Sequence, residues 1–184
     1  LGDGTVTQRY TPVSASGLAG VAAIAAGYYH SLAIVAAMTW TVTKLADTND
    51  GTCNADCSLR EAVAAAASGD TIIFAPGLTG TITLTAGQLT IGKDLTIEGP
   101  GASQLTVSGN NAVRVLQVNS GKTVSLSGLT IANGKASGSK GGGIYNNGGV
   151  LTVANSTISG NSADYYSAST GYGGGIYNNG GTVT

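Results

Sequence analysis

Two stretches of this 184-residue chain recur further along it, and this repetition limits the folds that the chain can adopt. The segment GGGIYNNGG at 141–149 recurs unchanged at 173–181, an offset of 32 residues, and TVSLSGLTIANG at 123–134 aligns with VLTVANSTISGN at 150–161, an offset of 27. Such offsets are typical of a solenoid in which each repeat forms one coil. Because one coil cannot bury its own apolar face, neighbouring coils must stack on one another. The repeats therefore predict an all-β fold, a single-stranded right-handed parallel β-helix.

The composition agrees with many short strands and argues against two classes of partner. The chain has 30 Gly but one Phe and one Trp, and 9% of its residues are charged, against about 25% in an average soluble domain. Abundant Thr, Val and Ile are typical of strands, and few large rings suit a core made of stacked aliphatic rows. The net charge is −1, with Lys and Arg scattered singly, so no nucleic-acid partner is predicted. The sequence contains no uninterrupted run of about 18 apolar residues, so no transmembrane segment is predicted.

Short apolar segments mark the strands of the β-helix, which we place at 71–184 as about four coils that continue beyond the end of the chain. Each strand would pair with its copy in the next coil at about 4.8 Å. The predicted strands are 71–74, 81–84, 95–97, 105–107, 113–118, 124–126, 129–131, 151–153 and 157–158. The Asn-Asn-Gly-Gly runs supply residues that tolerate positive φ at corners. Asn146 and Asn147 would stack on Asn178 and Asn179 as amide ladders.

Residues 39–70 predict a strand at 40–43, a polar loop and a short amphipathic helix. Ser58 and Glu61 match the capping box S-x-x-E, in which each side chain satisfies an N–H of the other's backbone. Gly69 would end the helix after about three turns. Because Leu59 and Val63 share its apolar face, we expect the helix to cover the open end of the first coil, which would otherwise promote aggregation.

The two cysteines, Cys53 and Cys57, form a lone C-x3-C pair. The pair lacks the four ligands of a structural zinc site and differs from the C-x2-C of catalytic redox pairs. We expect a local structural disulfide in an exported protein, and two reduced thiols are the alternative.

The motif C-S-L-R-E-A stands complete at 57–62, and V-T-K-L-A-D-T-N-D-G-T-C precedes it at 42–53. With these motifs the segment resembles the CSLREA-type domain, which precedes β-helical repeats in large exported bacterial and archaeal proteins. The resemblance covers about 35 residues directly and implies an extracellular or cell-surface location and a cap before the coils. It implies no enzymatic role.

The first 38 residues have a different pattern. They contain Leu1-Gly2-Asp3-Gly4-Thr5, Thr11-Pro12-Val13 and an ending at 25–33. These motifs resemble one repeat of the regulator of chromosome condensation propeller family. The resemblance implies a β-propeller blade. The expected blade strand with a W-G signature is missing after Ile34, and one blade cannot bury its faces alone. We therefore expect 1–38 to be a partial repeat that does not fold independently. His30, the only histidine, is expected to pack and not to act as a base.

Two groups of polar and acidic residues are candidate chemical sites. Asp47, Asn49, Asp50 and Asp56 are weak calcium candidates, because the loop at 47–51 has calcium-like residues but lacks the spacing of a calcium loop; an Asx-turn loop is favoured. Asp94 and Glu98 are the one plausible carboxylate pair, yet an extended strand would hold them about 13 Å apart, too far for a retaining glycosidase. No catalytic or cofactor-binding residue is therefore predicted.

The glycine-rich repeat suggests one further resemblance. Gly142-Gly143-Ile144 and Gly174-Gly175-Ile176 resemble the G-G-A-I motif of polymorphic outer-membrane adhesins, although the F-x-x-N partner motif of those repeats is absent. The leading hypothesis is a non-catalytic structural or adhesive β-helix module, with surface glycans or host and cell-surface proteins as partners. The alternatives are a polysaccharide-binding or polysaccharide-degrading β-helix and a propeller-type interaction fragment.

Overall fold

The chain divides into two compact units, Leu1–Ala37 and Met38–Thr184. The structure, a computed structural model, describes residues 7, 10–11, 21–28, 31–164 and 173–184. His30 lies outside the described residues. Within them, no helix is long and apolar enough to cross a membrane.

The first unit contains an antiparallel hairpin. Its strands are β1 (Val21–Ala26) and β2 (Ser31–Val35), and Val21 pairs with Val35 at the open end. Ile24 and Ile34 are 80% and 63% exposed. A two-stranded hairpin with solvated apolar side chains has little stability of its own in water. The predicted relation of this unit to a propeller blade stays a prediction.

The second unit is a parallel β-helix of about four turns, as the sequence predicts. Three sheets run along it, each containing one strand per coil. The first sheet contains β3 (Thr39–Val42), β4 (Asp70–Phe74), β7 (Leu95–Glu98), β10 (Thr123–Ser127), β14 (Val150–Ala154) and β18 (Thr182–Val183). The second contains β5 (Gly80–Thr83), β8 (Leu105–Ser108), β11 (Thr130–Ala132) and β15 (Thr157–Ser159). The third contains β6 (Leu89–Ile91), β9 (Leu116–Val118), β13 (Ile144–Asn146) and β17 (Ile176–Asn178). A short side sheet pairs β12 (Lys135–Ser137) with β16 (Ser162–Asp164).

The register between coils reproduces both repeats in the sequence. Thr123 pairs with Val150, an offset of 27, and Ile144 pairs with Ile176, an offset of 32. The 32-residue repeat therefore stacks identical residues, and the 27-residue repeat stacks apolar on apolar residues at its inward positions, such as Leu126 and Val153. Two amide pairs form as predicted: Asn146 Nδ2 donates to Asn178 Oδ1 at 2.8 Å, and Asn179 Nδ2 donates to Asn147 Oδ1 at 3.0 Å.

Alternate residues of each strand form the inward rows of the core. In the first sheet the row is Ile72, Ile97, Leu126 and Val153. In the second it is Ile82, Val107, Ile131 and Ile158. Most of these side chains are fully buried, so the core is a continuous aliphatic column.

Several strand boundaries differ from the prediction. The strand predicted at 113–118 begins only at Leu116, because Asn110 and Asn111 have positive φ (54° and 53°) and the N–H of Val113 donates to Gly109 O within a turn. The sequence predicts no strand within the GGGIYNN repeats, yet each contains one, β13 and β17. The Asn-Asn-Gly-Gly runs predicted as corners have positive φ at Gly148 (79°) and Gly180 (75°). The three glycines before β13 form another corner. A Cβ on Gly142 would lie 2.0 Å from Ser162 O, so a side chain there would collide with the next coil.

The helix α1 (Leu59–Ala65) lies at the N-terminal end of the β-helix, where it packs against β3 and β6. Leu59 and Val63 are buried, as expected of residues that cover the first coil. The helix is shorter than predicted, because it ends at the C-cap Ala66 and not at Gly69. Lys93 Nζ donates to Ala64 O at 2.7 Å and to Ala66 O, satisfying carbonyls that have no partner within the helix.

Candidate functional site

The motif at 57–62 was the most specific feature of the sequence, and its residues build the cap. Ser58 is the N-cap of α1: its Oγ accepts from Glu61 N at 3.1 Å and donates to Thr48 O at 2.7 Å. Glu61 completes the capping box by accepting from Ser58 N at 2.7 Å. Its other oxygen accepts from Asp50 N at 3.0 Å, which ties the polar loop to the helix.

Glu61 is a buried carboxylate held in its charged form. Its pKa falls from the ordinary 4.5 to about 2. The backbone N–H of Ser58 is the main cause, opposed by burial and assisted by the N–H of Asp50 and the charge of Lys44. Lys44 Nζ lies 3.4 Å from the carboxylate and 3.0 Å from exposed Asp56. The Glu61 carboxylate therefore connects the helix, the polar loop and Lys44 within the cap.

Arg60 joins the cap to the first coil. Its Nε and one terminal nitrogen donate to the two oxygens of Asp47 at 2.8 and 2.9 Å, a bidentate pair. The guanidinium also donates to Gly87 O at 2.6 Å and Gln88 O at 3.3 Å. The Asp47 side chain is 1% exposed. Burial alone would raise the pKa of Asp47, but the bonds from Arg60 and two backbone N–H groups lower it overall.

The remaining residues of the motif are buried. Cys57 and Ala62 are completely buried, and Leu59 is 3% exposed. The predicted disulfide joins Cys53 to Cys57. Each side chain at 57–62 thus contributes to capping, core packing or the junction with the first coil.

The four calcium candidates have separate roles in this cap. Asp47 binds Arg60, and Asp56 pairs with Lys44. Asn49 Oδ1 accepts from Gly51 N at 3.1 Å, and Asp50 Oδ1 accepts from Thr52 N at 2.9 Å, as in Asx-turns. Across the described ranges, no three His, Cys, Asp or Glu side chains form a group that could hold a metal ion.

The carboxylate pair considered from the sequence lies around β7. Asp94 Oδ1 accepts from Thr123 N at 2.8 Å, a bond to the next coil. Glu98 is exposed at the end of β7, where it pairs in register with Ser127. The structure therefore gives Asp94 a structural contact and leaves Glu98 on the surface of the first sheet.

A row of polar and aromatic side chains follows the outer surface of the third sheet. This outward row contains Thr90, Gln117, Tyr145 and Tyr177, which occupy the middle positions of β6, β9, β13 and β17. The two tyrosine rings are half-buried, and their centroids lie 5.8 Å apart. The row thus presents one side chain per coil along the β-helix.

Arg114 locks three coils together beside the outward row. One terminal nitrogen donates to Gln88 Oε1 at 2.7 Å and to Gln117 Oε1 at 3.2 Å. Nε donates to Gly141 O at 2.9 Å, and the other terminal nitrogen donates to Ser139 Oγ at 2.9 Å and to Lys140 O at 2.8 Å. Its five N–H donors therefore all meet neutral acceptors.

The charge of Arg114 is half-buried and faces an aromatic ring. The guanidinium carbon lies 4.9 Å from the centroid of the Tyr145 ring, and Lys140 Nζ lies 4.7 Å from that of Tyr177. Both are cation–π distances. Burial lowers the pKa of Arg114, while the interaction with Tyr145 raises it. A cation beside a tyrosine of the next coil thus recurs along this surface.

An open groove lies next to this arrangement. Seven residues line it: Gln88, Val113, Arg114, Lys135, Ala136, Ser137 and Ser139. Lys135 comes from the side strand β12, and its Nζ lies 3.1 Å from Asp164. The groove is lined by both polar and apolar groups and contains two cationic side chains.

Sequence reasoning missed this surface. Of the strands in the third sheet, only β9 falls within a predicted strand, at 113–118. Leu89-Thr90-Ile91 has the same sequence as the predicted strands at 95–97 and 129–131. The exact offset of 32 between Tyr145 and Tyr177 was also visible. The partners of Arg114 leave no comparable signal, because they are amides and carbonyls spread from 88 to 141.

Comparisons with protein-family models, curated proteins and solved structures find no match for this chain. Its function is therefore inferred from the contacts and charges described above.

Proposed function

We propose that this chain is a non-catalytic, extracellular or cell-surface β-helix module with a structural or adhesive role. Its partner would be a surface glycan or a cell-surface protein. The observation that carries the proposal is the outward row, whose polar and aromatic side chains are repeated coil by coil beside the Arg114 network.

The outward row suits adhesion because it is rigid and chemically mixed. Tyr145 Oη donates to Asn147 Oδ1 at 3.2 Å and accepts from Asn179 Nδ2 at 3.2 Å, so its orientation is fixed by both coils. Tyrosine combines a broad apolar body with a hydroxyl, and fixing it before binding reduces the entropy cost of association.

The cap supports an export setting. A local disulfide is typical of proteins in oxidising compartments, and the resemblance of 42–62 to the CSLREA-type domain points to exported proteins with β-helical repeats. The contacts of Cys57 to Ala62 give that segment a sufficient structural explanation without any catalytic step.

A glycan array probed with the purified chain, with and without calcium, tests the proposal. Any hit is then assayed for new reducing ends. We expect binding without turnover, and we expect Tyr145→Thr to weaken it. Thr152→Ala, on the exposed surface of the first sheet, is the matched control and should bind normally.

Turnover of a bound polysaccharide would overturn the non-catalytic assignment and make Asp94 and Glu98 the first residues to mutate. Normal binding by Tyr145→Thr would separate adhesion from the outward row. Calcium-dependent binding would direct attention to Asp47, Asn49, Asp50 and Asp56.

A further inference from the structure

We propose that the groove beside the outward row binds an anionic polysaccharide, carboxylated or sulfated, with Lys135 as the direct anion contact. This inference rests on the proposed adhesive function and names its ligand class.

The charge distribution favours an anion. Residues 99–184 contain four basic residues and one acidic residue, although the whole chain has a net charge of −1. Two of the four, Arg114 and Lys135, line the groove. The single carboxylate of this segment, Asp164, pairs with Lys135. Local charge around the groove is therefore positive, and clefts with one sign of charge concentrate ions of the other sign.

Arg114 supplies a charge that has no counter-ion among the residues that the structure describes. Its five donors contact neutral oxygens, and among the described residues no carboxylate forms an ion pair with it. Because the group is half-buried, its field is screened less than that of a free surface cation. Because all five of its N–H donors already have acceptors, Arg114 attracts an anion through its charge and donates no further hydrogen bond to it.

Lys135 can offer the direct contact. The Lys135 side chain is 37% exposed and that of its partner Asp164 is 61% exposed. Exposed ion pairs contribute little stability, so an anionic group of a ligand can replace Asp164 at small cost. Ser137 and Ser139 line the same groove and can supply hydroxyl donors.

A sugar polymer fits better than an isolated anion because the surface repeats along the coils. Four amide side chains lie along the outward row, those of Gln88, Gln117, Asn147 and Asn179. Tyr145 and Tyr177 add two aromatic rings in neighbouring coils. Amides both donate to and accept from hydroxyl groups. A polymer of hydroxylated, charged units would meet the same kinds of group at successive coils.

Calorimetric titration of the whole chain with polygalacturonate and with its fully methyl-esterified form tests the anion requirement, because esterification removes the charge and keeps the backbone. We expect the ester to bind at least about tenfold more weakly, and binding of the acid to weaken as NaCl is raised. Dextran sulfate against neutral dextran is the parallel pair for sulfate, and it assigns the kind of anion.

Variants then locate the contact. Lys135→Gln should weaken binding by about threefold to fivefold. Asp164→Asn removes the internal competitor and should strengthen binding by about twofold. Lys122→Gln, which makes the same charge change on the turn between β9 and β10, should bind within about twofold of the wild type. Opposite effects of the first two variants cannot arise from a general loss of folding.

Equal binding of acid and ester, or equal losses in Lys135→Gln and Lys122→Gln, would overturn the proposal. So would equally tight binding of duplex DNA, which would indicate a general polyanion surface. Binding of neutral dextran or another neutral glycan alone would overturn the anionic ligand and leave the adhesive function standing, whereas binding of no glycan would contradict both.

Discussion

At the scale of single residues, the cap contains buried carboxylates, and specific hydrogen-bond donors stabilise the charged form of each one. Asp47 depends on Arg60 and on backbone N–H groups from the first coil, which donate from Thr85 and Ala86 at 2.7 and 3.1 Å. Glu61 depends on the backbone of Ser58 and Asp50. Burying a charge is costly unless it is paired and hydrogen-bonded, so these residues should be sensitive to small chemical changes.

Replacing Arg60 by Lys should destabilise the protein even though the positive charge is retained. A lysine cannot donate to both oxygens of Asp47 and also reach the carbonyls of Gly87 and Gln88. We expect the free energy of unfolding to fall by about 1–3 kcal/mol, measured by urea denaturation. Lys135→Gln, which breaks an exposed ion pair, should cost less than about 1 kcal/mol. Similar losses in the two variants would contradict the bridging role of Arg60.

The folded state should lose stability in acid through Glu61. Its pKa is lowered from 4.5 to about 2 on folding, so its stabilising effect is present above pH 4.5 and is lost as the pH falls from about 4.5 to about 2. Asp47 and Asp70, whose pKa values are also lowered, act in the same direction. Glu61→Gln should therefore have a smaller decrease in melting temperature between pH 6 and pH 3 than the wild type. The same decrease in both proteins would show that Glu61 ionises alike in the folded and unfolded chain.

The sequence predicted these residues unequally. Ser58 and Glu61 could be paired because the capping box is a local pattern with fixed spacing. Asp47 and Arg60 lie 13 positions apart, and only the fold brings them together. Arg114 illustrates the same limit, since its partners are defined by the register of three coils and not by a local motif.

At the scale of elements, α1 closes the end of the aliphatic column. Leu59 lines the same small apolar space in the core as Leu89 and Leu116. Strand β3 adds one more strand to the first sheet before the helix begins, and Trp40 Nε1 donates to buried Asp70 at 2.9 Å. The cap thus covers the column and extends its sheet by one strand.

Replacing Leu59 by Asp should uncover this end. A carboxylate would enter an apolar site with no donor, and exposed strands and core would promote aggregation. We expect loss of soluble protein or a large drop in melting temperature, followed by light scattering during heating. Ala64→Asp, at an exposed position of the same helix, should change stability by no more than about 1 kcal/mol. Normal solubility and melting of Leu59→Asp would contradict the capping role of α1.

Predicted and observed elements differ where strands are short. Segments such as Leu105–Val107 and Val124–Leu126 were recognisable because a polar residue alternates with apolar residues, as Leu-Thr-Val and Val-Ser-Leu. β12 and β16 read Lys-Ala-Ser and Ser-Ala-Asp, and nothing local marks them as strands. They pair because the stacking of neighbouring coils places these two connecting segments side by side and in register. The helix is shorter than the sequence predicts because its last carbonyls accept hydrogen bonds from Lys93. Lys93 lies 27 positions after Ala66, so no local pattern indicates this end of the helix.

At the scale of the whole molecule, the coils are similar but not identical in length. The first sheet pairs Thr71 with Thr96, Thr96 with Ser125 and Ser125 with Thr152, which gives coils of 25, 29 and 27 residues. The inward rows nevertheless stay in register, so the differences are absorbed by the turns and by the side strands. Stability in such a structure is approximately a sum of coil and interface contributions.

Removing one whole coil should therefore leave a folded β-helix. Deletion of residues 123–149 joins Lys122 to Val150, which occupies the register position of Thr123. Leu151 then lies over Leu95, and Ile176 over Leu116, so apolar residues still face apolar residues. We expect a β-rich circular dichroism spectrum and one cooperative urea transition, with a smaller m-value because less surface is exposed on unfolding.

The matched control removes about half a coil, residues 123–135, and joins Lys122 to Ala136. This deletion brings the side strand and the glycine corner onto the first sheet, where no aliphatic row can continue. Because the strands depend on the coil beneath for both hydrogen bonds and burial, we expect this variant to aggregate or to lose its cooperative transition. If both deletions folded equally well, the coil would not be the unit of stability; if neither folded, the Arg114 contacts that span three coils would outweigh the additive contributions of single coils.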